Sequence, residues 1–481
     1  MLFNSYEFIF IFLPLTFFIY FFLTTKKLII ASKVFLVLSS LFFYGWWNVI
    51  YLPILLGSII FNYIVGVKLS KNTGDKNKQL LIWGIVFNIA LLGYFKYTDF
   101  FIENVNIFLE QEVPLIHLVL PLAISFFTFQ QIAYLVDSYK CGTREYNFLN
   151  YAVFVSFFPQ LIAGPIVHHK EMMSQFSEAK NQILNYNNIA TGLFIFSIGL
   201  FKKVVIADTF AIWATHGFDV AESLSFFEAW ATTLSYTFQI YFDFSGYSDM
   251  AIGIALLFNI RLPVNFNSPY KAVNIQDFWR RWHITLSRFL KDYVYIPLGG
   301  NRKIRLKTYA NLMLTFLIGG IWHGAAWTFV FWGGLHGIAL IIHRIWKNAG
   351  FRLNKILAWF ITFIFINITW IFFRAKDWDD AIKVLKGIVG LNGIVLPEKL
   401  KYSLSFLKEF GVSFDDLSNL FELKKRLVIT IISFIIIMMK NSQYYKEIFK
   451  PNFKFGIFYT LILIYSIFQI NKLSEFLYFQ F

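Results

Sequence analysis

Apolar runs long enough to cross a bilayer recur along the whole chain, and nothing constrains the fold more. A spanning helix needs roughly 20 mostly apolar residues. Candidate runs centre on 8–23, 34–50, 52–67, 80–95, 115–136, 151–167 and 189–207. Further ones centre on 226–243, 250–260, 309–322, 325–342, 356–373, 427–439 and 455–470. Several are short, which suits re-entrant or interfacial segments. The pattern predicts an all-α polytopic membrane protein with about 10–14 crossings plus interfacial helices. Only 15% of residues are charged, where a soluble chain needs roughly a quarter, so a water-soluble fold is excluded. The 61 Phe residues suit a lipid-facing surface. The first run lacks a basic flank and a small-residue cleavage site, so it is not expected to be a signal peptide.

Charge then orients the chain. The loop 24–33 holds Lys26, Lys27 and Lys33, and 68–79 holds Lys68, Lys71, Lys76 and Lys78. The intervening turn 45–51 is uncharged, and the loop after residue 95 carries Asp99, Glu103, Glu110 and Glu112. By the positive-inside rule the N-terminus lies outside. The strongest basic block, 261–307, holds ten Lys and Arg against Asp277 and Asp292, so it is expected in the cytoplasm. The last two spans then put the C-terminus outside. Between 149 and 260 the reading is ambiguous, because Lys202 and Lys203 abut an apolar run. The formal charge of +15 is thus read as cytoplasmic loops, not as a nucleic-acid surface. No repeat of 20–50 residues appears. One membrane-embedded domain, 1–481, is expected. Its longest polar excursion, 374–426, should carry short surface helices near 381–389 and 400–410.

Three places could carry chemistry. The first is Asp277–Tyr293, DFWRRWHITLSRFLKDY. At 100° per residue Phe278, Trp279, Trp282, Leu286, Phe289, Leu290 and Tyr293 share a face. Arg280, Arg281, Arg288 and Lys291 cluster opposite. That is an amphipathic helix at a membrane surface, with His283 at the border of the faces. It is either an interfacial anchor or a basic platform for an anionic donor.

The second place is the run from Gly319 to Gly324, GGIWHG. His323 lies 16 residues past the cytoplasmic Lys307. At ~1.5 Å per residue that is about 24 Å into a ~30 Å core. Small neighbours permit close helix packing or leave room for a substrate. An interhelical structural His and a functional one both fit, although an ionisable residue at depth leans functional. The third place is Tyr241–Asp249, YFDFSGYSD. Asp243 and Asp249 read as buried hydrogen-bond partners that fix helices, or as a proton relay. Asn265, Asn267 and Tyr270 follow in a polar loop that continues the network.

Other chemistries find little support. The single cysteine, Cys141, excludes an intramolecular disulfide and a multi-Cys metal site. His168 and His169 lack a nearby third ligand, so no metal is expected. His117, His216 and His336 read as structural. No Walker loop, Rossmann fingerprint or HExxH occurs, and no G-x-S-x-G elbow.

Four segments, FFPQLIAGPIVH (157–168), YFDFSGYSDMAIGIALLFNIRLPVNFNSPY (241–270), FWRRWHITLSRFLKDYVYIPLGGNR (278–302) and GGIWHGAAWTFVFWGGLHG (319–337), resemble membrane-bound O-acyltransferases. The resemblance is to the branch that O-acetylates alginate and peptidoglycan. It is strongest over about 150–345. It implies a multi-helix funnel with a thinned centre, His323 as catalytic His and His283 as second motif His, with Asp243, Asp249 and Trp322 in a structural or tunnel-lining network. It also implies acetyl-CoA as a cytoplasmic donor substrate, no permanently bound cofactor, and an acceptor on the far side. A neutral His there would serve as base toward a hydroxyl. The expected setting is a bacterial inner membrane, in contact with lipid and a periplasmic SGNH-type O-acetyltransferase or esterase partner, and with no nucleic acid.

Richness in Phe, Ile, Lys and Asn suggests an AT-rich genome, which favours peptidoglycan as the acetylated polymer. Alginate or another exopolysaccharide is the alternative, then teichoic acid D-alanylation, then a channel or flippase without enzymatic activity. The C-terminus, Ser474 to Phe481, reads SEFLYFQF. It is an aromatic anchor at the outer interface, or a relay. Its F-x-Y-F-x-F spacing resembles the end of the small accessory peptide of teichoic acid D-alanylation. That resemblance implies Tyr478 as an acyl carrier.

Overall fold

The computed structural model describes residues 1–71, 75–110, 112–140, 145, 147–162, 164–302, 304–415, 420–470 and 477. Cys141 and Tyr478 lie outside the described residues. Helices α1 (Leu13–Thr25) and α2 (Ile29–Gly45) form a hairpin. Lys27 turns it with a left-handed φ of 58°. Helices α3 (Leu52–Lys71) and α4 (Asp75–Leu109) follow. Asn62 and Asn88 exchange amide hydrogen bonds of 3.1 and 2.7 Å between them. Such pairs join helices where water is absent.

Helix α5 (Ile124–Lys140) is buried along almost its whole length. The run expected over 151–167 is broken into α6 (Phe148–Ser156) and α7 (Phe158–Leu161), because Phe157 is non-helical and Pro159 opens the next turn. Next come α8 (His169–Ser177), α9 (Tyr186–Phe201) and α10 (Asp208–Thr215).

Helix α11 (Phe226–Leu257) is buried without interruption from Ser235 to its end. Ser225 and Glu228 form a capping box at its start. The two runs expected at 226–243 and 250–260 are this one helix. The polar stretch between them does not interrupt it, since no Pro intervenes and its carboxylates find partners inside. Asp243 meets Lys203 at 2.8 Å and Asp249 meets Lys202 at 2.6 Å. The lysines that blurred the charge alternation therefore belong to the core network. Glycines set the spacing. A Cβ on Gly199 would lie 2.6 Å from the Gly246 carbonyl oxygen, and one on Gly192 2.7 Å from that of Gly253. Helices α9 and α11 thus touch backbone to backbone.

Helices α12 (Ile275–Trp279) and α13 (Ile284–Leu290) precede the long pair α14 (Arg305–His323) and α15 (Trp327–Asn348). Helix α16 (Lys355–Arg374) follows, then α17 (Trp378–Ile388). In the polar excursion α17 matches the first expected short helix, and it buries Ala381 and Val384. The second, near 400–410, is not an α-helix. It is a pair of 3-10 turns held by parallel strands β1 (Ile394–Pro397) and β2 (Val412–Asp415). The chain continues through α18 (Leu420–Met438), α19 (Ser442–Ile448) and α20 (Phe453–Gln469).

Among the described residues, six helical stretches are long and apolar enough to cross a membrane, and a bent pair, Val428–Met438 with Ser442–Ile448, would be a seventh. The other expected runs are shorter, broken or more polar. The result is an all-α, multi-pass membrane protein.

Candidate active site

The segment read as one amphipathic helix is two, broken at His283. That residue takes a left-handed φ of 43° as N-cap of α13 and is fully buried. A non-glycine residue there is uncommon, and the surroundings explain it. The Asn265 side-chain oxygen accepts from the Thr285 amide at 3.3 Å and its hydroxyl at 3.0 Å. Because a backbone amide can only donate, the atom facing it is the oxygen. That oxygen also lies 3.2 Å from His283 Nδ1, so Nδ1 carries the proton and Nε2 is the basic nitrogen. Asn265 was grouped by sequence with the Asp243 network. It orients the histidine instead.

His323 is the last residue of α14, because Gly324 turns extended. The helix is continuous from Arg305, so the rise of about 24 Å from Lys307 holds. Gly320 and Gly333 let α15 fold back tightly, with a Cβ on Gly320 only 3.2 Å from the Gly333 Cα. His323 is 3% exposed. Trp322, Trp332 and Phe373 stand roughly perpendicular to its ring at centroid distances of 4.9, 5.1 and 5.1 Å. The His283 ring is 6.4 Å away. Trp322 faces His283 at 6.1 Å and stacks on Phe129 at 5.1 Å. Two imidazoles 40 positions apart in sequence thus share one aromatic enclosure.

The remaining predicted residues scatter. Asp243 and Asp249 face Lys203 and Lys202 on α11's other contacts. His336 accepts a hydrogen bond from Trp279 Nε1 at 3.2 Å and is buried among aromatics. Of the four cations, two are engaged. Arg281 pairs with Asp277 at 2.8 Å, and Arg288 with Glu171 at 2.6 Å. The Glu171 hydrogen bond and charge outweigh burial and raise the Arg288 pKa further. Arg280 and Lys291 are exposed.

His168 contacts Tyr293 and Asp137 at 3.0 and 3.4 Å, and His169 contacts Glu145 at 3.3 Å. Burial disfavours the Glu145 carboxylate, yet bonds from His169, the Asn147 amide and Asn150 hold its pKa below the usual range. Among the described residues no group of three metal-ligating side chains forms.

Sequence reasoning missed Lys96, whose Nζ donates to the carbonyls of Trp322 and His323 at 2.6 and 3.0 Å. It falls just past the apolar run at 80–95, in a stretch that reads as an acidic loop, whereas α4 continues to Leu109.

Residues 10–375 match the MBOAT, membrane-bound O-acyltransferase family. A peptidoglycan O-acetyltransferase of Helicobacter pylori is 59% identical over 438 residues, covering 85% of this chain and 83% of the relative. A probable alginate O-acetylase of Pseudomonas aeruginosa is 39% identical over 417 residues, covering 85% and 78%. A teichoic acid D-alanyltransferase of Bacillus subtilis is 27% identical over 280 residues, covering 53% and 69%.

Proposed function

The chain belongs to the membrane-bound O-acyltransferase family, and from that premise we propose that it moves acetyl groups from cytoplasmic acetyl-CoA across the bacterial inner membrane for O-acetylation of peptidoglycan. The observation that carries this reading is the buried His283–His323 pair, set in a chain 59% identical to a peptidoglycan O-acetyltransferase.

In this account His323 takes the proton of an acceptor hydroxyl as the oxygen attacks the thioester carbonyl. The carbon–sulfur bond breaks, CoA leaves as thiolate, and the proton returns to it. A neutral imidazole is the state from which a base takes a proton. His283, held by Asn265, orients the reacting groups. Arg280 and Lys291 offer exposed positive charge to donor phosphates. Tyr478 is the proposed acceptor. The amide of its neighbour Leu477 donates to Asp243 Oδ2 at 2.9 Å, and Leu477 is buried. A phenolate leaves readily (pKa about 10), so an acetyl-tyrosine could pass its group to a serine of an SGNH-type periplasmic partner. Both termini then lie outside.

Alginate or another exopolysaccharide is the second reading, favoured by the 39% identical relative. The two separate on deletion of the gene. Loss of O-acetyl from muropeptides, with exopolysaccharide acetylation intact, supports peptidoglycan. The reverse pattern overturns it.

A further inference from the structure

The last turn of a helix leaves its final carbonyls without intrahelical donors, and inside a membrane no bulk water takes their place. Helix α14 ends in this way at the residue that the proposed reaction depends on. Gly324 N–H returns only to Gly320, at 3.4 Å. The next three carbonyls are met from α4 by two consecutive side chains. Tyr97 Oη donates to Ile321 O at 2.7 Å. Lys96 Nζ donates to Trp322 O at 2.6 Å and His323 O at 3.0 Å, and lies 3.4 Å from Ser125 Oγ. Ser125 also binds this turn, since its carbonyl accepts from Trp322 Nε1 at 3.4 Å.

A lysine is a costly way to end a helix at such a place. Its ammonium gives up part of its hydration to lie against the helix end. A glycine or a neutral side chain would close the turn with no charge to bury. What the charge adds is stiffness. An ammonium bonded to two carbonyls is a charge-assisted contact, stronger than a neutral one, and a cation suits the negative end of the helix dipole. Lys96 also forms part of the wall of a cavity of about 310 Å³, with Thr98, Asp99, Gly324 and Ala326. The turn that carries His323 therefore borders open space on the side where Lys96 holds its carbonyls.

We infer that Lys96 is a positioning residue for His323. Its ammonium fixes the end of α14 and so fixes where the imidazole meets the reacting atoms. This inference rests on the reading of His323 as the base. Displacement of a reacting group by about 1 Å costs up to roughly a hundredfold in rate. The effect should fall on turnover and not on donor affinity, because Lys96 bonds to the end of α14 and to Ser125 and not to the basic residues proposed to meet the donor.

The test uses the full chain in membranes with labelled acetyl-CoA, on wild type, Lys96→Met, Lys96→Arg, Tyr97→Phe and His323→Ala. Lys96→Met should lower the maximal rate about tenfold to a hundredfold, with the acetyl-CoA KM within about twofold. Lys96→Arg should recover part of the loss, because it keeps charge and donors. Tyr97→Phe, two residues from His323 through Ile321, should cost about threefold or less. Should Lys96→Met fail to accumulate, Lys96→Gln, which keeps a donor without charge, carries the same expectation at smaller size. Turnover within twofold of wild type in the folded variant, or a loss expressed as higher KM, overturns the inference. Activity surviving in His323→Ala would instead overturn the base assignment and leave the clamp as a helix cap.

Discussion

The imidazoles of His283 and His323 lie 6.4 Å apart although they sit on different helices. The first is held from behind by Asn265 at 3.2 Å. The second is enclosed by Trp322, Trp332 and Phe373. The ring of the first is oriented by a hydrogen bond, whereas that of the second is enclosed by packing and its backbone carbonyl is bound by Lys96.

That difference makes Asn265 a specific target. Asn265→Ala removes the acceptor for His283 Nδ1 and for Thr285, and frees the ring to turn. Loss of orientation predicts a fall in turnover of about tenfold to a hundredfold. Polymer O-acetyl content, normalised to membrane protein, reports it. Unchanged acetylation would show that His283 needs no fixed tautomer.

Lys203 joins Asp208 at 2.9 Å and Asp243 at 2.8 Å, and all three are buried. Lys203→Met leaves buried carboxylates without that cation, a change that costs about 3–5 kcal/mol. Lys203→Met with Asp243→Leu removes both charges of one pair, so it should regain part of the lost stability. Thermal unfolding of the detergent-solubilised variants measures both. A single variant as stable as wild type would contradict a structural role for the pair.

The general architecture was legible in the sequence because apolar run length maps directly onto spanning helices. So was the helical run that ends at His323, because α14 is continuous from Arg305. Three things were not legible. Helical periodicity carried the reading straight through His283, since the break depends on Asn265 and Thr285, which act across 18 and 20 positions of chain. The continuity of α11 was hidden because its carboxylates are neutralised by Lys202 and Lys203 on another segment. Nothing near Lys96 in the sequence marks it, because its partners lie on α14, more than 220 positions away. Each miss is a long-range polar contact inside an apolar protein, where local pattern carries no information about partners.

Among the basic residues near the break, Arg280 is exposed whereas Arg281 and Arg288 are in ion pairs. Arg280→Glu is therefore expected to raise the apparent acetyl-CoA KM by about two- to fivefold, the scale of an exposed charge contact. The effect should shrink at high salt. Equal donor dependence in wild type and variant would reduce this surface to a lipid anchor.

Tyr478→Phe keeps an aromatic ring and removes only the hydroxyl. The relay predicts loss of polymer acetylation in this variant, and acetyl-tyrosine detectable by mass spectrometry in wild type. Full acetylation by the variant, with no acetyl-tyrosine in wild type, would leave only an anchoring role.

The most direct test of the whole account is transfer of labelled acetyl from acetyl-CoA to envelope polymer in membranes carrying wild type or His323→Ala. A positioned base contributes about a hundredfold or more to such a step. The account predicts that His323→Ala accumulates normally in the membrane yet transfers at least about a hundredfold less label, while His336→Ala loses far less. Transfer at wild-type rates by His323→Ala would contradict it.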